Sequence, residues 1–230
     1  MTICIIPARG GSKRIPRKNI KPFLGRPMIA WSVDAAQGAG CFERIVVSTD
    51  DAEIAETARG LGAEVPFLRP DALADDMTAT LPVIAHAVDS LGLADDVPVC
   101  CLYPAAPFAD PADLQAGLVA LRAGKARFVL PVTTFAFPIQ RALRRDVSGT
   151  VAAMYPEYAL TRSQDLEGGW HDAGQFYWAL AAAWRGGGSV FDDAHGIAIP
   201  RHRVQDIDTP EDWTRAEAMK RALDLMAAEA

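Results

Sequence analysis

Apolar residues along this chain follow two alternating rhythms. Short apolar runs at residues 3–6, 44–50, 65–69, 97–104, 128–132 and 196–200 read as strands. Between them lie stretches with apolar positions three and four apart, which read as helices. The first starts at Pro27, carries Ile29, Trp31, Val33 and Ala36, and ends at Gly38 and Gly40. The next runs through Ile54, Ala55, Ala58 and Leu61 and stops at Gly62. Another spans 81–91 with a stripe of Val83, Ile84, Ala87, Val88 and Leu91, and His86 beside that stripe reads as packing or solvated. Asp110-Pro111 opens a further helix and Thr209-Pro210 the last, each with a capping side chain followed by proline. Strand and helix alternating at this spacing predict an α/β fold around a largely parallel sheet.

The rhythm fails from about residue 133 to 169, where Phe135, Phe137, Pro138, Ile139, Tyr155 and Tyr158 follow no period. This is either an excursion from the sheet or an ordinary long loop, which compact domains use sparingly. A length of 230 residues, half of them hydrophobic, suits one domain, 1–230, with a sizeable core. The net charge of −6 argues against general nucleic-acid binding. No run approaches the roughly 18 apolar residues of a membrane span, and no secretory leader is visible. The four cysteines, Cys4, Cys41, Cys100 and Cys101, have no C-x-x-C spacing. Zinc is therefore not expected, and a reduced, cytoplasmic setting is. Cys100 and Cys101, adjacent in a strand, should face opposite sides of it.

Against this acidic background, residues 7–19 concentrate Arg9, Lys13, Arg14, Arg17 and Lys18 around Gly10-Gly11, just after the first strand. Adjacent glycines let backbone N–H groups approach an anion, and α/β sheets bind ligands beyond their strand ends. The alternative is a solvated surface loop. No G-x-x-x-x-G-K-[ST] and no G-x-G-x-x-G is present, which excludes the two familiar phosphate loops. Far downstream, Asp206 and Asp208 share one side of an extended segment and offer a hard divalent cation two carboxylates. The plain alternative is a pair of solvated turn aspartates. A D-x-D-x-T phosphatase nucleophile would follow an early strand, and this pair does not.

The run Ile-Pro-Ala-Arg-Gly-Gly-Ser-Lys-Arg-Ile-Pro-Arg-Lys-Asn, residues 6–19, resembles the signature of the CMP-sialic acid synthetase family of cytidylyltransferases. The likeness extends over nearly the whole chain. It implies a three-layer α/β/α, mostly parallel Rossmann-like nucleotidyltransferase sheet, with 133–169 as an arm by which two subunits of a homodimer embrace. It assigns Ala8, Arg9, Gly10, Gly11, Ser12, Lys18 and Asn19 to the nucleotide's phosphates. It gives Arg69, Thr78 and Thr80 to the base and ribose, although Thr78 or Thr80 could equally cap the following helix. Asp50 or Asp51 likewise either caps a helix or faces the ligand.

Arg-Ser-Gln-Asp-Leu at 162–166 and His-Asp-Ala-Gly-Gln-Phe-Tyr at 171–177 are similar to the subgroup that acts on pseudaminic acid. Sialic acid members usually carry glutamine where this chain has Tyr103. The resemblance thus points to Tyr103, Gln175 and Tyr177 as sugar-binding. From the residues alone, Tyr177 is alternatively a core residue, and His171 and Asp172 could form an acid–base pair. It implies CTP and a nine-carbon 2-keto-acid sugar as substrates, and Mg²⁺, or Mn²⁺, on Asp206 and Asp208. Arg9, Lys18, Asp206 and Asp208 are the catalytic set. N-acetylneuraminic or legionaminic acid is the nearer alternative sugar, and a catalytically silent nucleotide-binding protein the farther alternative.

Overall fold

In a computed structural model that describes residues 1–75, 77–124 and 126–228, the apolar runs pair into one sheet. Its strands are β1 (Ile3–Pro7), β2 (Arg44–Ser48), β3 (Pro98–Leu102), β4 (Phe128–Thr134), β5 (Trp170–Asp172), β6 (Phe176–Leu180) and β7 (Ala194–Ala198). The order is β7-β4-β6-β3-β1-β2, with β5 also pairing to β4. β1 runs parallel to β2 and β3, and β7 parallel to β4, whereas β6 is antiparallel to both of its neighbours. The start of β6 therefore lies at the same sheet edge as the ends of β1, β2 and β3.

Helices cover both faces. α1 (Met28–Ala39), α2 (Ala52–Gly60) and α4 (Pro111–Arg122) bury Ile29, Val33, Ile54, Leu114 and Leu118 on one side. α3 (Thr80–Ser90) and α5 (Ala181–Arg185) bury Ile84, Val88 and Trp184 on the other. Cys100 joins the first core and Cys101 the second, as strand alternation requires. The result is a three-layer α/β/α sandwich. A third cluster joins Phe23, Met28 and Phe108 to Trp213 and Ala216 of α6 (Pro210–Ala228).

Local chemistry explains most boundaries. Gly40 ends α1 in the left-handed conformation at φ 60°. Gly38 stays inside the helix, where a Cβ would meet Pro111 at 3.1 Å. Asp51 caps α2 and Asp110 caps α4, with Pro111 in its first turn. Thr209 and Asp212 exchange hydrogen bonds across the first turn of α6.

Two expectations are corrected. Residues 65–69 make no strand: of them Leu68 bridges to Thr49, just past β2, Glu64 before them bridges to Val46, and Pro66 has no N–H to offer a ladder. Neither Thr78 nor Thr80 caps α3. Its N-cap is Ala79, because both hydroxyls are engaged elsewhere, Thr78 by Asp75 and Thr80 by Tyr103.

Residues 135–169 leave the sheet as 3-10 turns and a small hairpin, Leu143–Arg145 with Val151–Ala153. No helix among the described residues is long and apolar enough to cross a membrane.

Candidate active site

A cleft of about 610 Å³ opens at the edge where β1, β2 and β3 end and β6 begins. Arg9, Ser12, Lys13, Arg14, Lys18, Asn19, Arg69, Thr78, Thr80, Tyr103, Gln175, Asp206 and Asp208, all apart from Lys13 and Arg14 anticipated as site residues, line it. The cationic loop and the acidic doublet, 190 positions apart, meet here. Lys18 Nζ donates to the Ile207 carbonyl at 2.7 Å and lies 3.4 Å from Asp208, and Arg14 sits 2.7 Å from the other Asp208 oxygen.

The cause of that meeting is apolar. Ile15, inside the cationic loop, and Ile207, between the aspartates, are each 1% exposed and pack in the cluster of Phe23 and Trp213. Burying each isoleucine contributes roughly 1.5–3 kcal/mol, enough to hold two strongly charged segments together. With Ile207 directed inward, Asp206 and Asp208 face the cleft.

The loop is held from below. The Ala8 N–H donates to the Ser48 carbonyl at 2.9 Å, and Asn19 Nδ2 donates to the Arg9 carbonyl at 2.9 Å. The Gly10 N–H donates to Asp50 at 3.0 Å, so that amide is already engaged. A Cβ on Gly10 would stand 2.7 Å from Asp51 Oδ2, which restricts the position to glycine. Ala8, Gly10 and Gly11 shape the loop without lining the cleft. Arg17, one of the five loop cations, turns away and binds Asp51 and Glu53.

On the β2 side, Arg69 is 5% exposed and bonds the Ser48 carbonyl and hydroxyl. Burial lowers its pKa, opposed by Asp50. The Arg9 guanidinium donates to the Asp75 carbonyl at 2.8 Å, while the Asp75 carboxylate accepts from Met77, Thr78 and the Thr78 hydroxyl. Asp75 and Gln205 line the cleft although the sequence did not single them out. Asp75 sits in an irregular stretch, and Gln205 carries no motif.

On the β6 side, Tyr103 and Thr80 share a 2.8 Å hydroxyl contact. Burial pushes the Tyr103 hydroxyl up to about 12. Gln175 is 3% exposed; its Nε2 donates to the Arg203 carbonyl, and its Oε1 has no partner among the described residues. Tyr177 is 4% exposed and stands behind the wall, its hydroxyl donating to Asp172. The His171–Asp172 acid–base pair does not form. The His171 Nδ1 bonds the Asp172 backbone carbonyl at 2.8 Å, and the carboxylate is occupied by Tyr177 and the Gly174 N–H. Past Gly174 and Asp206 the cleft continues into a side pocket of about 340 Å³ beside His171 and Asp172.

Burial, and secondarily Asp208, raises the Asp206 pKa. Two carboxylates on one side of the cleft fit a hard cation. Mg²⁺ in particular takes one or two protein carboxylates and completes its shell with phosphate and water. No described group of three His, Cys, Asp or Glu residues forms a cage without such help.

A family profile described as cytidylyltransferase matches residues 3–176. The chain is 40% identical over 220 residues to the pseudaminic acid cytidylyltransferase of Campylobacter jejuni subsp. jejuni serotype O:23/36, covering 94% of this chain and 95% of that one. It is 41% identical over 118 residues to a CMP-N,N'-diacetyllegionaminic acid synthase of Legionella pneumophila, 49% and 50% of the two chains. The solved structure of CMP:2-keto-3-deoxy-manno-octonic acid synthetase complexed with CTP superposes with a TM-score of 0.70 at 17% identity, covering 100% of both chains. A 4-diphosphocytidyl-2C-methyl-D-erythritol synthase from Anaerococcus prevotii gives 0.62 at 14% identity, covering 94% and 96%. These two likenesses bear on the fold.

Proposed function

The chain belongs to the cytidylyltransferase family, and from that premise we propose that it transfers CMP from CTP to the anomeric hydroxyl of a nine-carbon 2-keto-acid sugar, releasing pyrophosphate. Pseudaminic acid is the sugar favoured by the relative that matches along 94% of the chain. The observation that carries the chemistry is the contact of Lys18 and Arg14 with Asp208 inside one cleft.

Phosphoryl transfer of this kind is mostly positioning and charge neutralisation. The strand order supplies the positioning. The β1 and β2 ends carry Arg9, Ser12, Lys18, Asn19 and Arg69, which suit a nucleotide, with Thr78 and Thr80 above it. The β3 end and β6 start carry Tyr103 and Gln175, which suit the sugar, and Tyr177 supports that wall from behind. Gln175 Oε1 is a buried acceptor that a hydroxyl or amide N–H of the sugar satisfies. Arg9, Arg14 and Lys18 stabilise the triphosphate and then the departing pyrophosphate. Asp206 and Asp208 hold Mg²⁺, or Mn²⁺ in its place. Bound there, the ion would supply charge neutralisation on phosphate and would ease loss of the proton from the attacking hydroxyl.

The excursion 133–169 is read as a homodimer arm. Phe137 is 81% and Leu160 99% exposed there, with Leu143, Val151 and Met154 also open. A second copy of the chain covers such a surface. The setting is read as cytoplasmic.

Pyrophosphate release with CTP, Mg²⁺ and a panel of keto-acid sugars tests the proposal. The expected result is release fastest with pseudaminic acid. Fastest release with N-acetylneuraminic or legionaminic acid reassigns the sugar. CTP binding without release on any sugar identifies a silent nucleotide-binding protein.

A further inference from the structure

The structure assigns Arg17 and Asp51 a positioning role: from outside the cleft they pre-form the cationic loop that receives the triphosphate. The assignment rests on the nucleotide reading of that loop.

Residues 8–19 are tied along the end of β2. Ala8 bonds Ser48 and Gly10 bonds Asp50 at the near limb. At the far limb both terminal nitrogens of Arg17 engage the Asp51 carboxylate, Nη2 at 3.0 Å, and Nη2 also reaches Glu53. Asp51 is itself immobilised. Its Oδ1 accepts the Ile54 N–H at 3.0 Å as the cap of α2, and its own N–H donates to Thr49 Oγ1 at 3.2 Å. The anchor is therefore a rigid helix start, and a bidentate arginine on a fixed carboxylate is a directional, charge-assisted contact.

Arg17 holds φ 57°, a left-handed conformation that a non-glycine residue adopts only against a steric penalty. That turn sends consecutive side chains to opposite sides. Arg17 goes outward to α2, and Lys18 inward to Ile207 and Asp208. Arg17 does not line the cleft and has no phosphate to meet. What it fixes is the direction of Lys18 and the span between Gly10 and Asn19. Without it, CTP has to order this loop on binding, and that cost appears as lost affinity.

Three variants test the role: Arg17→Ala, Arg17→Gly and Asp51→Asn. Asparagine keeps the acceptor for the Ile54 N–H and removes the charge, so α2 keeps its cap. Glycine removes the guanidinium but favours the φ 57° backbone. CTP binding is read by calorimetry, with KM for CTP, KM for sugar and kcat from pyrophosphate release. The expected result is about a tenfold rise in Kd and KM for CTP in all three, with sugar KM and saturated kcat within about twofold of wild type. Wild-type CTP affinity in Arg17→Gly overturns the strap and leaves residue 17 a purely backbone role. A fall in kcat with CTP KM unchanged also overturns it, in favour of action in the transition state. Calorimetry needs no sugar, so a wrong sugar assignment leaves this test intact.

Discussion

The cleft and the excursion treat exposed chemistry in opposite ways. In the cleft the strongly charged groups already have protein partners: Lys18 and Arg14 on Asp208, Arg9 on the Asp75 carbonyl, Arg69 on Ser48. In the excursion, large apolar side chains such as Phe137 and Leu160 have none of their area covered to speak of. Its order comes from short-range backbone turns and from an Asp146 carboxylate that gathers the Ser148 and Thr150 N–H groups. On the proposed function, the first region would exchange these protein partners for a charged ligand. The other leaves large apolar side chains at the surface, which supports the homodimer arm proposed above.

The sharpest break of this comparison is Asp208→Asn. We expect kcat to fall by about a thousandfold, on the scale of losing a group at the reacting phosphate, with the melting temperature little changed. Full pyrophosphate release at ordinary Mg²⁺ rejects the role of the doublet. On the other side, Phe137→Asp with Leu160→Asp should weaken self-association by about a hundredfold, as truncated interface anchors do. Sedimentation at graded concentrations reads it, and an unchanged dimer, or a monomeric wild type, removes the arm.

Smaller effects separate the halves of the cleft. Thr80→Val takes the hydroxyl partner from Tyr103, and a lost buried hydrogen bond costs about 1 kcal/mol. CTP KM should rise about fivefold and sugar KM stay put; the reverse pattern moves Thr80 to the sugar side with Tyr103. The smallest is an acid effect. The Arg17 guanidinium, aided by the Ile54 N–H and opposed by burial, holds Asp51 down at about 2. The stability this supplies is complete above the ordinary carboxylate range and disappears as pH falls from about 4 through 2. After screening it amounts to about 1 kcal/mol. Denaturant midpoints of wild type and Asp51→Asn should therefore converge between those pH values.

The sequence carried the sheet and its ligand edge well. Apolar runs bounded by glycine and by Asp-Pro or Thr-Pro pairs are local signals, and Asp110-Pro111 and Thr209-Pro210 behave as their spacing demands. What it did not carry were choices made by distant partners. Arg17 looks like its cationic neighbours until Asp51, 34 residues away, claims it. Tyr177 reads equally as a ligand group or a core residue, and the structure places it in the core, bonded to Asp172. Thr80 has the composition of a cap, yet Tyr103 takes its hydroxyl from another strand. The convergence of loop and doublet was expected from charge, but the agents that achieve it, Ile15 and Ile207, are uncharged and individually unremarkable in sequence.

The reversed strand β6 reaches the cleft through the short connection Ala173–Gln175, with Gly174 at φ 63°. The cationic loop, by contrast, is anchored on β1 and β2, on the far side of β3. On the proposed function, substitution within those three linking residues would reshape the wall that faces the sugar and spare the loop that takes the triphosphate. The acceptor sugar and the nucleotide would then be open to change independently of one another.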